Sequence, residues 1–317
     1  MNVNENEILI DVQGLTKTFT VGFRRRKVEA VKGISFQIHK GEIFGIVGPN
    51  GAGKTTTIKI ITGLMRQSSG SVTLFGHPAS DVTSREKLGY LPEGPYFYEH
   101  LKVEELLMYY GQLHGLPKSL VKRRADELIE RVGLGHARGR PLKKFSKGMR
   151  QRAGLAQALI NDPELVILDE PQSGLDPTGR KEVRELIFDL KERGKTVVFS
   201  SHILPDVEAV CDRVALFHKG ELMKLGALHE VMNQNTKGVE ILVSSLAHKD
   251  LPELEGLQHV LTRSSLLFLR FPPDINLSKT IVTLERAGGK VESVSQLRED
   301  LEDVFLKNTR ASAGEEE

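Results

Sequence analysis

The eight residues GPNGAGKT, at positions 48–55, constrain the fold of this chain more than any other stretch. They directly follow the apolar run IFGIV, which reads as a buried strand, and they lead into TTTIKIITGLM, whose apolar residues recur at helical spacing. The glycines let the backbone bend so that successive N–H groups converge on one point. A strand, a glycine-rich loop and a helix in this order predict a phosphate-binding loop of the pattern G-x-x-x-x-G-K-[ST].

The last residues of such a loop have defined tasks. Lys54 is expected to bridge the β- and γ-phosphates of a nucleotide, and the Thr55 hydroxyl is expected to hold Mg²⁺. The positive end of the helix dipole attracts the same phosphates. The predicted nucleotide contacts in and beside the loop are Gly48, Pro49, Asn50, Gly51, Ala52, Gly53, Lys54, Thr55 and Thr56.

A second apolar run, LVILDE at residues 165–170, ends in two carboxylates. The carboxyl ends of the strands are where open α/β sheets bind their ligands. Asp169 is therefore expected to complete a Mg²⁺ site, and Glu170 to polarise a water molecule for in-line attack on the γ-phosphate. The alternative is that the two acids only mark the exit of the strand into solvent.

The order of the predicted elements indicates an α/β domain followed by a smaller one. Apolar strands alternate with helical periodicity, which predicts a largely parallel sheet, and the early runs ILIDVQGLTKTF and VEAVKGISFQI suggest an antiparallel β addition. After Gly226 new strand and helix patterns begin, including VEILVSS, SLLFLRF, SKTIVTLERAGG and KVESVSQL. The predicted domains are 7–226, with a helical subdomain at about 95–162, a small α+β domain at 227–310, and a disordered polar tail at 311–317.

Composition excludes several classes of function. A net charge of +2 over 317 residues gives no argument for a nucleic-acid partner. The single cysteine excludes an intramolecular disulfide and fits a reducing compartment. No apolar run approaches the roughly 20 residues of a membrane span, and the N-terminus lacks the pattern of a signal peptide. We therefore expect a soluble chain, whose membrane role, if any, depends on a partner.

The motifs GPNGAGKT, LVILDE, SGLD (173–176) and SSH (200–202) together resemble the ATP-binding cassette of ABC transporters over residues 7–226. The stretch KKFSKGMRQR (143–152) occupies the place of the signature of that family, usually LSGGQ. The resemblance implies a P-loop NTPase fold that binds ATP and Mg²⁺. It also implies that two cassettes pair head to tail, so that the signature of one faces the ATP bound by the other.

The resemblance assigns roles to further residues. Ser146 and Gly148 would contact the γ-phosphate of the partner's ATP; Ser146 is also a good N-cap, so the alternative is a simple capped helix. Lys147 replaces a glycine of the signature and either adds charge near that phosphate or faces solvent. Asp176 of SGLD would lie at the dimer contact, and His202 would donate to the γ-phosphate of its own site.

Three other positions depart from the usual family pattern or match it loosely. Glu93 stands where the family has a glutamine, and its carboxylate can bind Mg²⁺ or water. Phe19 stands where an aromatic residue stacks on adenine, and Val28 would be a second contact on that side. The alternative for Phe19 is an aromatic residue of the core.

The signature, Glu93 and the C-terminal LEDVFLK look like the ABC-2 branch of the family. This implies an ATPase subunit, as a homodimer or a heterodimer, that powers export through a separate polytopic permease on the cytoplasmic side of a bacterial or archaeal cell membrane. The permease would dock near Glu93 and the aromatics Tyr96, Phe97 and Tyr98, which are expected to be exposed; the alternative is that the three aromatics are ordinary packing residues. One rival is a soluble ABC-type ATPase that acts on ribosomes or DNA. Another is a P-loop kinase or other NTPase, which leaves the signature and SGLD unexplained.

Overall fold

A computed structural model describes residues 7–22, 25–232, 236–298 and 301–305. The chain divides into two compact units after Leu228, two residues beyond the predicted boundary at residue 226. The predicted tail at 311–317 lies outside the described residues. Within the described part of the chain, no helix is both long and apolar enough to cross a membrane.

The first unit contains ten strands and six α-helices among its described residues. The strands are β1 (Ile8–Val21), β2 (Arg26–His39), β3 (Ile43–Val47), β4 (Ser69–Leu74), β5 (His77–Pro78), β6 (Leu88–Leu91), β7 (Leu165–Leu168), β8 (Thr196–Ser201), β9 (Arg213–His218) and β10 (Glu221–Ala227). The helices are α1 (Lys54–Ile61), α2 (Val103–Leu113), α3 (Lys118–Arg131), α4 (Lys147–Leu159), α5 (Pro177–Glu192) and α6 (Leu204–Glu208). A further short helix, α7 (Leu228–Val231), begins at the last residue of this unit.

The central sheet has six strands in the order β10-β9-β3-β8-β7-β6. All neighbours are parallel except β9 and β10. Every residue of β3, β7 and β8 is buried, as the unbroken apolar runs of β3 and β7 predict for central strands of a parallel sheet. This sheet places the carboxyl ends of β3, β7 and β8 at one edge, and the motifs GPNGAGKT, LVILDE and SSH lie there.

A second, antiparallel sheet in the order β2-β1-β4-β5 packs on the first. The two sheets share one hydrophobic core, in which the Phe36 ring stacks on Phe44 at 5.7 Å and meets Phe217 edge-on at 6.3 Å. The predicted α/β fold with an antiparallel addition is confirmed. The sequence analysis did not predict β9 and β10.

The helical region between β6 and β7 contains α2, α3 and α4. Helix α4 lies very close to β6 because glycines replace side chains on both elements. A Cβ atom added at Gly89 of β6 would lie 2.1 Å from the carbonyl oxygen of Ala158, and one at Gly154 of α4 would lie 2.5 Å from a methyl of Leu91. Pro95 packs on the same glycine of α4, with its ring carbon 3.3 Å from that added atom.

The second unit is a four-stranded antiparallel sheet with a helix. Its elements are β11 (Thr236–Ser244), β12 (His259–Arg263), β13 (Leu266–Phe271), α8 (Leu277–Arg286) and β14 (Lys290–Arg298), and residues 301–305 are helical. The strand order is β12-β13-β11-β14, and Ile241, Leu269 and Leu284 are fully buried in its core. The predicted strands and helix are confirmed, and β12 was missed. The rest of the predicted C-terminal helix lies outside the described residues.

Candidate functional site

The loop between β3 and α1 passes so close to its neighbours that only glycine fits at two positions. A Cβ atom at Gly48 would lie 2.2 Å from the carbonyl oxygen of Phe217, and one at Gly53 would lie 2.6 Å from that of Ala30. Gly53 is also the N-cap of α1, with a left-handed φ of 102°. The backbone thus turns sharply into the start of the helix, the arrangement that directs amide N–H groups at an anion.

The Lys54 side chain, at the first position of α1, folds back over this loop. Its ammonium group donates to the carbonyl oxygens of Gly48 at 2.6 Å and Pro49 at 3.3 Å. It also lies 3.2 Å from Oε1 of Glu170, and both side chains are less than a tenth exposed. A buried cation therefore faces a buried anion where the strand ends meet.

Asp169 is fully buried at the end of β7. Its Oδ1 accepts hydrogen bonds from the Ser200 hydroxyl at 2.6 Å and from the Thr55 hydroxyl at 3.2 Å. Burial raises the pKa of the Asp169 carboxyl, and the negative charges of Glu93 and Glu170 add to the rise, against the effect of the two hydrogen bonds. Glu93 itself is exposed on the segment that follows β6.

The second oxygen of the Asp169 carboxylate, Oδ2, is buried without a hydrogen-bond partner among the described residues. An unpaired carboxylate oxygen beside a threonine hydroxyl suits a hard cation such as Mg²⁺, which prefers oxygen ligands. Nowhere in the described ranges do three or more His, Cys, Asp or Glu side chains form a metal cluster. These residues thus fit Mg²⁺ in the mode in which one or two protein ligands are supplemented by phosphates and water.

Glu170 follows directly and has an unusual backbone conformation. Its φ of 49° lies in the left-handed region, which residues other than glycine and asparagine rarely adopt. Its N–H donates to the Ser200 hydroxyl at 2.9 Å, and its Oε2 lies 2.8 Å from Nδ1 of His202. The structure therefore brings together Lys54, Asp169, Glu170 and His202, which come from three different strand ends.

Ser200 and Gln151 are part of this arrangement and were not among the predicted site residues. The register of β7 and β8 pairs Leu168 with Phe199, so the residues that follow, Asp169 and Ser200, are adjacent. Gln151, buried on α4, donates its amide to the carbonyl oxygen of Glu170 at 3.4 Å. The sequence signal that could have identified Ser200 is the motif SSH at the end of a strand. No sequence pattern pointed to Gln151.

The two predicted adenine contacts lie directly opposite each other on neighbouring strands. Phe19 of β1 pairs with Val28 of β2, and Val28 is 42% exposed. The Lys17 ammonium lies 5.1 Å from the centre of the half-buried Phe19 ring. Two residues beyond Val28, the carbonyl oxygen of Ala30 touches Gly53, so this strand runs beside the loop. The pair forms an aromatic and aliphatic patch beside the loop.

The residues of the signature-like stretch form a second cluster, at the N-termini of α4 and α5. The Ser146 hydroxyl caps α4 by accepting from the Met149 N–H at 3.2 Å. The Asp176 carboxylate caps α5 by accepting from the Gly179 N–H at 2.8 Å. Residues of both N-termini line one open cavity of about 510 Å³. Gly148 is among them, beside Leu175.

Lys147, next to the cap, is exposed, as one of its two predicted alternatives required, and it also lines the open cavity. Its ammonium donates to the Ser173 hydroxyl at 3.1 Å, in the segment that follows Glu170.

The three aromatics near Glu93 differ in part from the prediction. Tyr96 and Tyr98 are 90% and 57% exposed, whereas Phe97 is buried. The prediction of three exposed aromatics is therefore wrong for Phe97, whose ring belongs to the interior.

A parallel sheet with this loop at the end of β3 and an acid pair at the end of β7 defines the fold as that of a P-loop NTPase. The family model described as ABC transporter matches residues 31–173. An ABC transporter ATP-binding protein of Synechocystis sp., itself uncharacterized, is 41% identical over 305 residues, which cover 95% of this chain and 85% of that protein. The chain belongs to the family of ABC transporter ATP-binding proteins.

Two further comparisons agree. The linearmycin resistance ATP-binding protein LnrL of Bacillus subtilis is 37% identical over 238 residues, which cover 74% of this chain and 76% of LnrL. A solved structure of an ATP-binding subunit of an ABC transporter superposes with a TM-score of 0.64 at 32% identity. It covers 71% of this chain, and 92% of the solved chain is matched.

Proposed function

We propose that this chain is the ATP-hydrolysing subunit of an ABC-2 type exporter. Two copies, or one copy and a related cassette, bind two Mg·ATP head to tail and power a separate polytopic permease. The chain then lies on the cytoplasmic side of a bacterial or archaeal cell membrane. Family membership supports the ATPase, and a relative named for linearmycin resistance supports export, because removal of a compound from the cell gives resistance.

The main support for ATP hydrolysis by this site is the position of Glu170 between the Lys54 ammonium and the His202 imidazole. Lys54 and His202 lie within 3.2 and 2.8 Å of its two carboxylate oxygens. A triphosphate in the loop competes with Glu170 for Lys54, since the ammonium then faces more negative charge. Glu170 is thereby released to accept a proton from an attacking water, while His202 is placed to donate to the phosphate.

Thr55 and Asp169 are the residues that would hold Mg²⁺, and Glu93, whose negative charge acts on the Asp169 carboxyl, would join through water. Bound there, the ion neutralises charge that develops on the phosphate oxygens. The unpaired Oδ2 of Asp169 supports this assignment, because a buried carboxylate oxygen without a partner is costly. Phe19 and Val28 would hold the adenine by stacking and apolar contact.

The cluster around Ser146 is proposed as the site for the phosphate bound by the partner cassette. The N-terminus of α4 carries a partial positive charge, and Gly148 allows close approach of a ligand to the backbone. Asp176 already caps α5, so its part in the dimer is to hold the backbone of SGLD in place. Tyr96 and Tyr98 provide the exposed aromatic surface for the permease.

The test of the catalytic proposal is Glu170→Gln. This variant should bind ATP and hydrolyse it at least about a hundredfold more slowly, the usual scale of the loss of a general base. It should also accumulate as an ATP-bound dimer, measured by size-exclusion chromatography with ATP and Mg²⁺. The matched control is Glu185→Gln, an exposed residue of α5, which should hydrolyse like the wild type.

Near wild-type turnover of folded Glu170→Gln would refute the assignment of the general base. The coupling to a permease is tested separately, by purification of the chain from membranes. Recovery of a polytopic membrane protein with the chain supports the exporter, whereas recovery with ribosomes or DNA favours the soluble ATPase.

A further inference from the structure

One face of α4 holds the segment that carries Glu170. Lys147 and Gln151 are four residues apart, so their side chains project from the same side of the helix. Lys147 donates to the Ser173 hydroxyl at 3.1 Å, and Gln151 donates to the carbonyl oxygen of Glu170 at 3.4 Å. The Ser173 N–H closes the turn by donating to that same carbonyl oxygen at 3.0 Å.

The stem of the Lys147 side chain is fixed as well as its ammonium. It lies across Gly174, where an added Cβ atom would approach the Lys147 Cδ to 2.6 Å and its Cε to 2.9 Å. Gly174 has a left-handed φ of 74°, so a residue with a side chain is disfavoured there on two counts. Although the lysine is exposed, it is packed along the 173–174 segment rather than extended into water.

We infer that Lys147 is a positioning residue that couples the N-terminus of α4 to Glu170 through Ser173. The inference rests on the proposed function, in which Ser146 and Gly148 bind the partner's phosphate. A phosphate that docks there moves the N-terminus of α4, and Lys147 transmits this movement to residues 170–173. Each copy thus places its own Glu170 when its α4 has engaged the ATP of the other copy.

The competing role for Lys147 is direct contact with the partner's phosphate, in which Ser173 has no part. The two roles differ in what the loss of the Ser173 hydroxyl does. Coupling through the hydrogen bond requires both groups, whereas direct contact requires only the ammonium. A double-mutant cycle between the two residues therefore separates the roles.

The experiment measures steady-state ATP hydrolysis by the full-length chain carrying Lys147→Met, Ser173→Ala or both. One hydrogen bond of about 1 kcal/mol corresponds to about a fivefold change in rate. Each single variant should lower kcat about fivefold, and the double variant should be no slower than the singles. The dissociation constant for ATP at the chain's own loop should not change, because neither side chain contacts that loop.

Two further variants separate positioning from general effects. Lys147→Arg should recover most of the lost rate, since its guanidinium also donates to a hydroxyl. Lys122→Met makes the same substitution at an exposed lysine of α3, outside the signature-like stretch, and should match the wild type. Thermal unfolding of each variant verifies the fold, and Ser173→Ala keeps the test open if Lys147→Met is unstable.

Several results would overturn the coupling. Wild-type kcat in Lys147→Met is one, and a loss in Lys147→Met without a loss in Ser173→Ala is another. A double variant about twenty-five times slower, the product of two independent fivefold losses, is a third. Glu170→Gln is assayed alongside: if it is inactive while Lys147→Met is normal, only the coupling fails, whereas an active Glu170→Gln refutes the proposed function as well.

Discussion

Ser200 holds the two acids of the site in place, and its loss should be costly. Its hydroxyl donates to Asp169 at 2.6 Å and accepts from the Glu170 N–H at 2.9 Å. All three residues are buried, so water cannot replace either bond. In Ser200→Ala, the carboxylate loses a donor and the backbone N–H of Glu170 is left without its acceptor.

The expected size of the effect follows from these two losses. A hydrogen bond to a charged group contributes about 1.5–3 kcal/mol, and a buried donor left unsatisfied costs about 1–3 kcal/mol. Asp169 keeps the bond from Thr55, so the lower ends of both ranges apply. We expect Ser200→Ala to lower the stability of the first unit by about 2.5 kcal/mol, a large part of the roughly 5–15 kcal/mol typical of a folded protein.

Hydrogen exchange measured by mass spectrometry suits this test, because it reports opening free energies for peptides of β7 and β8 individually. The control is Ser201→Ala, whose hydroxyl bonds only within its own turn, to the backbone of Ile203. It should cost about 1 kcal/mol. A change below 1 kcal/mol in Ser200→Ala, or an equal change in both variants, would refute the assigned role of the Ser200 hydroxyl.

Two further predictions concern the negative charge of Asp169 and the contact of Phe19 with the adenine of ATP. Folding raises the pKa of the Asp169 carboxyl above its ordinary value of about 3.8. Between that value and the raised pKa, the folded chain binds more protons than the unfolded chain. The free energy of unfolding therefore falls as pH rises through this window. Asp169→Asn should therefore gain stability over wild type at pH 7 and lose that gain near pH 3; an equal difference at both pH values in urea unfolding would contradict this. Phe19→Ala should weaken ATP binding about tenfold, from the roughly 1–3 kcal/mol of base stacking. Unchanged affinity in a calorimetric titration would instead place Phe19 in the core.

The sequence was sufficient where a short stretch determines its own backbone. GPNGAGKT predicts the turn into α1, because Gly48 and Gly53 stand where a side chain would collide with neighbouring carbonyls. The unbroken apolar runs of β3 and β7 likewise predict central strands. The acids at the end of β7 could be placed near the loop because the carboxyl ends of parallel strands share an edge.

Other features depend on the register and packing of distant elements. The pairing of Phe19 with Val28 follows from a hairpin with several register shifts, which the sequence does not specify. Gln151 reaches Glu170 only because α4 lies against that segment. Phe97 and its tyrosine neighbours have similar local sequence preferences, and only tertiary packing buries one of them.

The glycine contact between α4 and β6 has a mechanical consequence. At Gly89 the backbone of β6 meets the backbone of α4 directly, and at Gly154 only the Leu91 side chain lies between the two elements. Few side-chain torsion angles can therefore absorb a displacement, and close-packed interiors have low compressibility. Pro95, which rests on Gly154, belongs to the same stiff body. A displacement of Tyr96 should therefore reach Ser146, at the N-terminus of α4, with little of it absorbed on the way.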